Sequence, residues 1–259
     1  MITLENKITI ITGGARGIGR ALVEKFCCLG AIVHILDVDE TNGMKVSETA
    51  NKNGWRSSFH SCDVSDFRDV EKVFKEVIEK SGEISVLVNN AGIAHIGTAE
   101  STKPEEMDKM YATNVKSVYN CSHFAIRSMK NAGGGSIVNI SSVAAVTGIA
   151  DRFAYSMSKG AVLTMTYSIA KDFIGDHIRC NAVGPARIHT SFVDGYLEAY
   201  YPENKQEIFE KLSKTQPIGR MGNPVEVADL VAFLCSDQAG FITGSFYPVD
   251  GGFITLNTG

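Results

Sequence analysis

Ile8-Thr-Ile-Ile-Thr-Gly-Gly-Ala-Arg-Gly-Ile-Gly19 decides the fold. A short β-branched run reads as a strand, the glycines as a tight turn, and the residues after Gly17 as the opening of a helix. Outward from it, similar apolar runs recur at Ala31 to Leu36, Ser58 to Cys62, Ile84 to Val88, Ser136 to Ile140, Ile178 to Val183 and Phe246 to Val249. A turn and a segment of helical length follow each run except the last. Strands alternating with helices need crossover connections, which favour a parallel sheet. Continuously apolar strands such as Ile84-Ser-Val-Leu-Val88 fit burial on both faces. The expected architecture is α/β: a Rossmann-type, doubly wound parallel sheet of about seven strands, with helices on both faces and ligands at the carboxyl ends of the strands.

At 259 residues and 44% hydrophobic content, the chain can bury a large core. No linker, internal repeat or low-complexity stretch divides it, so residues 1–259 are expected to form a single dinucleotide-binding and catalytic domain. A formal net charge of -4 gives no electrostatic case for nucleic acid or an anionic membrane. The N-terminus runs directly into the Ile8 strand, and no apolar stretch approaches a membrane span; a cytoplasmic protein is expected. Cys27, Cys28, Cys62, Cys121, Cys180 and Cys235 show neither CxxC spacing nor pairing with histidines, which points to thiols rather than disulfides and to no metal site.

Thr12 to Gly19 has the context in which glycines let backbone approach a pyrophosphate and helix-terminal N–H groups meet its charge. Tyr155 and Lys159 stand four apart in a helical segment, hence on one face. A free phenol, with a pKa of about 10, is a poor base at neutral pH. A neighbouring ammonium is expected to lower that value, so that the pair can exchange a proton with an alcohol while hydride moves to or from a nicotinamide. Asp37, ending the second strand, can accept hydrogen bonds from ribose hydroxyls and repel a 2′-phosphate, favouring NAD over NADP.

Thr12-Gly-Gly-Ala-Arg-Gly-Ile-Gly19, Asn89-Asn-Ala-Gly92, Asn114, Ser142, Tyr155 and Lys159 together resemble the short-chain dehydrogenase/reductase family over essentially the full length. The resemblance implies catalytic roles for Asn114, Ser142, Tyr155 and Lys159. Ser142, rather than Ser141, would hydrogen-bond the substrate oxygen, and the Asn114 carbonyl would hold a relay water. Lys159 would also bond the nicotinamide ribose. Cofactor contacts would come from Gly13, Arg16, Gly17, Ile18, Gly19, Asp37, Asp63, Val64, Asn90, Ala91, Gly92, Tyr155, Lys159, Pro185, Ile188 and Thr190. Arg16 occupies a position where NADP-using relatives often carry a base, and Asp63 could equally cap the next helix. Ala186 replaces the family's usual glycine after Pro185, so that turn is expected to differ in shape. A homotetramer is also implied.

Arg152 and Arg187 stand where a substrate is expected, and a guanidinium can hold both oxygens of a carboxylate. Surface ion pairing or a cofactor phosphate are their other readings. His95 and His189 could add donors to a hydroxylated substrate or serve as loop anchors. The long segment of about 189–220, with Phe192, Tyr196, Tyr200 and Tyr201, is either a helical substrate lid or a peripheral packing pair. Its opening, Arg187 to Tyr196, with Thr215 to Arg220, is similar to bacterial family members that are 2-keto-3-deoxy-sugar-acid (deoxyfuconate or deoxyrhamnonate) 4-dehydrogenases. That resemblance implies a small hydroxylated acid as substrate. The alternatives are a 3-oxoacyl, 3-hydroxyacid or neutral-sugar dehydrogenase and, outside catalysis, a dinucleotide-sensing or scaffolding protein.

Overall fold

A computed structural model describes residues 2–256, without the side chains of Phe192, Tyr196, Ala199 and Tyr200; the tail to Gly259 likewise lies outside the described residues. Its strands are β1 (Ile8–Thr12), β2 (Ile32–Asp37), β3 (Arg56–Ser61), β4 (Val86–Asn89), β5 (Gly135–Ile140), β6 (Ile178–Pro185) and β7 (Phe246–Val249). They form one sheet in the order β3-β2-β1-β4-β5-β6-β7, every pairing parallel. The order reverses at β1, which pairs with both β2 and β4. A crevice therefore opens beyond their carboxyl ends.

Helices α1 (Gly17–Cys28), α2 (Glu40–Lys52), α3 (Phe67–Ser81), α4 (Pro104–Tyr111), α5 (Ser117–Asn131), α6 (Phe153–Asp172) and α9 (Pro224–Cys235) cover the sheet, while α7 (Ser191–Tyr200) and α8 (Lys205–Lys214) fill the stretch between β6 and α9. Strand residues alternate between faces. Ile11, Val33, Ile35, Val88 and Val138 therefore meet Leu22, Val23 and Phe26 of α1 and Val227 and Val231 of α9. Their neighbours Ile10, Leu36, Leu87 and Ile137 meet Val70, Phe74 and Val77 of α3 and Ala125 and Met129 of α5. Each large apolar side chain so buried contributes about 1.5–3 kcal/mol.

Helix starts follow local chemistry. Asp39 accepts from Asn42 N–H at 3.1 Å to open α2, and Asp66 accepts from Arg68 N–H at 2.8 Å to open α3. Glu106 and Glu226 reach back to Lys103 N–H and Asn223 N–H at the starts of α4 and α9. α1 is different: no side chain caps it, and its first turn carries no acidic residue. No helix among the described residues is long and apolar enough to cross a membrane.

Candidate active site

The glycine turn is locked from both sides. Thr12 Oγ1 accepts from the N–H groups of Asn90 and Ala91 at 3.0 Å, and Asn90 Nδ2 donates to the carbonyls of Thr12 and Gly13 at 3.0 and 2.9 Å. Gly13 and Gly17 hold φ values of 67° and 52°. A Cβ on Gly19 would stand 1.9 Å from the Gly13 carbonyl oxygen, so only glycine permits the approach. Beside the uncapped start of α1, Asp37 accepts from Ala15 N–H at 2.9 Å and from Asp39 N–H at 3.0 Å. Arg16 turns away from this carboxylate to pair with Asp39 at 2.5 Å. Across the groove, the Thr190 methyl lies 3.4 Å from where a Cβ on Gly17 would be. Ile18 packs against the core, leaving its backbone to the groove.

Asp63 and Val64 follow β3. Asp63 accepts from the N–H and hydroxyl of Ser65 at 2.9 and 2.7 Å, forming a local turn, and the capping of α3 falls to Asp66 instead. Val64 is buried, and its carbonyl takes a hydrogen bond from Asn120 at 2.9 Å.

Beyond β5, Ser141 and Ser142 point apart as strand periodicity requires. Ser141 donates to the Lys159 carbonyl at 2.9 Å and serves structure. Ser142 accepts from Ala144 N–H at 3.1 Å and hydrogen-bonds the Tyr155 phenol. Lys159, buried under the same helical face, donates from Nζ to the Ile140 carbonyl at 2.8 Å and lies 5.8 Å from the Tyr155 ring centroid. Burial pushes its pKa down to about 8. Burial likewise raises the Tyr155 pKa, opposed by the Ser142 hydrogen bond and the Arg152 charge. The expected lowering of the phenol by the ammonium is therefore corrected: in the protein alone desolvation dominates and raises the phenol, the opposing influences come from Ser142 and Arg152, and the easier proton to lose is on the lysine.

Asn114 sits in a π-helical turn, Ala112–Lys116, between α4 and α5. Its side chain clamps the loop after β4, accepting from Ile93 N–H at 2.8 Å and donating to the Ile93 carbonyl at 2.9 Å, and it also donates to Ser158 Oγ at 3.0 Å. Gly92 leads this loop past the lysine: a Cβ there would lie 3.5 Å from Lys159 Nζ. Further on, Gly97 pairs with Arg152 in a parallel bridge, drawing the loop across the start of α6.

The substrate-facing set divides. Arg152 donates to the Asp151 carbonyl at 2.9 Å, and no carboxylate stands at ion-pairing distance from it among the described residues. His95 Nε2 pairs with Glu106 at 3.2 Å, so its outer nitrogen anchors the loop to α4. His189 pairs with Asp194 at 2.7 Å and packs edge-on against Phe209, tying α7 to α8. Arg187 donates to Thr215 Oγ1 at 3.3 Å, near the return from α8. Pro185 offers its carbonyl to Ser142 at 3.5 Å, and Ile188 is buried beside a bridge to Gly222. Ala186 has no positive φ and donates its N–H to the Val249 carbonyl at 3.1 Å.

Three supporting residues carry weak sequence signals. Thr12 fastens the glycine turn, and Ser158 bridges Asn114 to the Tyr155 carbonyl, donating to the latter at 2.8 Å. Asn139 joins Asn89 to Thr166 inside the sheet with bonds of 2.8 and 2.9 Å. A polar residue amid the apolar run Ser136 to Ile140 is the one hint of that buried network.

A glycine turn at the sheet's reversal point, opposed by serine, tyrosine and lysine from β5 and α6, defines a Rossmann-type oxidoreductase class acting on alcohol or ketone groups. The family model described as enoyl-(acyl carrier protein) reductase, adh_short_C2, matches residues 13–254. An uncharacterized oxidoreductase of Thermotoga maritima is 38% identical over 97% of this chain and 98% of its own. A meso-2,3-butanediol dehydrogenase of Serratia marcescens is 37% identical over 96% of this chain and 94% of its own. The solved structure of gox2181 overlays with a TM-score of 0.92 at 32% identity, covering 98% of both chains. The chain belongs to the short-chain dehydrogenase/reductase family, whose members use nicotinamide cofactors. The groove fits such a cofactor: the start of α1 has no side-chain cap on its N–H donors, and Gly13 and Gly17 keep their backbone partly exposed where a pyrophosphate would lie.

Proposed function

We propose that the protein is an NAD-dependent dehydrogenase of small hydroxylated acids, with a 2-keto-3-deoxy sugar acid as the substrate class. The observation that carries this reading is Arg152, whose charge reaches the Tyr155 phenol and which has no carboxylate partner among the described residues. A substrate carboxylate held there would bring a nearby hydroxyl toward Tyr155. Asp37 beside the α1 start supports NAD, and the Arg16–Asp39 pair leaves Arg16 less available for a 2′-phosphate.

In this mechanism Ser142 orients the substrate oxygen and Tyr155 takes its proton as general base, or returns it as general acid in reduction. Lys159 stabilises the phenolate and passes the proton onward past the π-helical turn at Asn114. The bound nicotinamide supplies the hydride acceptor or donor. Gly13, Gly17, Gly19 and the α1 N–H groups would hold its pyrophosphate. Asp37 would hold the adenosine ribose, Asp63 and Val64 the adenine, Asn90 to Gly92 and Lys159 the nicotinamide side, and Ile188 and Thr190 the carboxamide. Helices α7 and α8 act as the lid, in a single domain. The assembly is a homotetramer built on the outer faces of α5 and α6, where Tyr119, Phe153 and Tyr167 are exposed.

The name of the butanediol relative favours a second reading, a neutral polyol or diol substrate. NADH formation with NAD⁺ across sugars, diols, 3-hydroxyacids, aldonic acids and 2-keto-3-deoxy acids separates the two. Sugar acids should dominate, and Arg152→Ala should raise their KM about tenfold or more. A carboxylate-free sugar turned over as fast as its acid, with Arg152→Ala harmless, overturns the acid assignment. A tenfold lower KM for NADP⁺ would overturn the cofactor assignment, and binding without turnover would favour a sensing protein.

A further inference from the structure

At the free edge of the sheet, away from the glycine turn and from Tyr155, a cavity of about 460 Å³ lies between β3 and α3. Its lining is mixed, and the polar part includes His34, Ser58, His60, Lys72, Glu76 and Lys80. The origin is simple periodicity. His34 pairs in register with Ser58 and Leu36 with His60, so all four share the sheet face beneath α3. Lys72, Glu76 and Lys80 recur every four residues along the helix above them. None of these three has an ion-pair partner among the described residues; the neighbouring Lys75–Glu79 pair shows what the helix forms where it can.

The histidines form a coupled pair. His34 Nδ1 and His60 Nε2 are 3.1 Å apart, and His34 Nε2 is buried with no partner, in a residue only 3% exposed. With both rings neutral, the less costly tautomer has His34 Nδ1–H donating to His60, which leaves Nε2 as an orphan lone pair rather than an orphan N–H. Adding one proton reverses the bond. His60 Nε2–H then donates to His34 Nδ1, and the pair presents N–H donors at both outer nitrogens. That state suits an anion, between lysines that form no ion pair among the described residues even with Glu76 one turn away.

We propose that this cavity is a binding site for a small phosphate monoester dianion, held by Lys72, Lys80 and the His34–His60 pair, with uptake of one proton by that pair. Without a ligand the pair is neutral near pH 7. Burial, then His60 and then Lys80 lower the His34 pKa to about 4, while burial and Lys80 lower that of His60 against the opposing charge of Glu76. A dianion offsets the Lys80 charge and raises both, so binding should tighten as pH falls.

Inorganic sulfate is the probe, since it stays a dianion across the range, and the enzyme is kept saturated with reduced nicotinamide cofactor so that the pyrophosphate groove is filled. Ring ¹H–¹³C signals of His34 and His60 should shift saturably with sulfate, at least about tenfold more tightly at pH 6 than at pH 8. Inorganic phosphate at pH 8 should compete for the same site. Lys72→Ala/Lys80→Ala, confined to the helix surface, should weaken sulfate at least tenfold and leave dehydrogenase activity unchanged. His34→Gln is the stronger test if it folds, and the lysine double variant stands without it. Unchanged affinity in the double variant, pH-independent binding, or no saturable shift at the two histidines would mean an adventitious ion only and overturn the proposal.

Discussion

Lys159 Nζ lies 5.8 Å from the Tyr155 ring centroid, and for two ionisable groups acting as a unit the macroscopic ionisation belongs to the pair. Loss of one proton gives a state that can be written as neutral lysine with phenol or as ammonium with phenolate. Burial places the lysine's loss at about 8. The base form drives alcohol oxidation, so its kcat/KM should rise with pH through a value near 8, while ketone reduction, which needs the proton, should fall through the same value. A pH-independent profile in both directions would break the assignment. Tyr155→Phe keeps the ring but removes the proton carrier. It should cost about a thousandfold or more in kcat while cofactor affinity, measured by fluorescence titration, stays within a few-fold. Much of this was legible from residue types alone, because Tyr155 and Lys159 four apart on a helix must share a face. The direction of the phenol shift was not, since desolvation depends on everything packed around Tyr155.

Among the elements, the turn joining β1 to α1 is the least tolerant. Gly19→Ala would drive a Cβ to 1.9 Å from the Gly13 carbonyl oxygen, so the turn must open and its N–H groups lose their aim. Cofactor affinity in the variant should fall at least about tenfold by calorimetry, with far-ultraviolet circular dichroism retained; unchanged affinity would place the pyrophosphate elsewhere. The strands were readable because β-branched runs with turn residues between them have few alternatives. Their ends were less so. β3 begins at Arg56, two residues ahead of the apolar signal, because Ser57 pairs with Val33 and the Arg56 guanidinium reaches the Gly30 carbonyl at 2.7 Å. β4 begins at Val86, because Ile84 N–H goes to Ser128 Oγ at 2.7 Å. No local pattern encodes such partners from 44 residues away.

Across the whole molecule, two cores clamp the sheet, and Phe26, with no exposed surface, is one of the largest side chains between α1 and the strands. Phe26→Ala should cost about 3–5 kcal/mol in denaturant unfolding. The melting temperature should fall by about 2–4 °C per kcal/mol. A loss below about 1 kcal/mol would show that the surrounding core collapses onto the vacancy. The sequence by itself determined the layer architecture and the hydride-transfer class, because periodicity, glycine placement and the Tyr155–Lys159 spacing act over one or two turns of chain. Only the tertiary structure decided how charges are shared. Arg16 went to Asp39, His95 to Glu106 and His189 to Asp194, while Arg152 kept no carboxylate partner among the described residues. The reason is physical: an ion pair depends on a separation of a few ångströms between side-chain ends, and that distance is set when the elements pack.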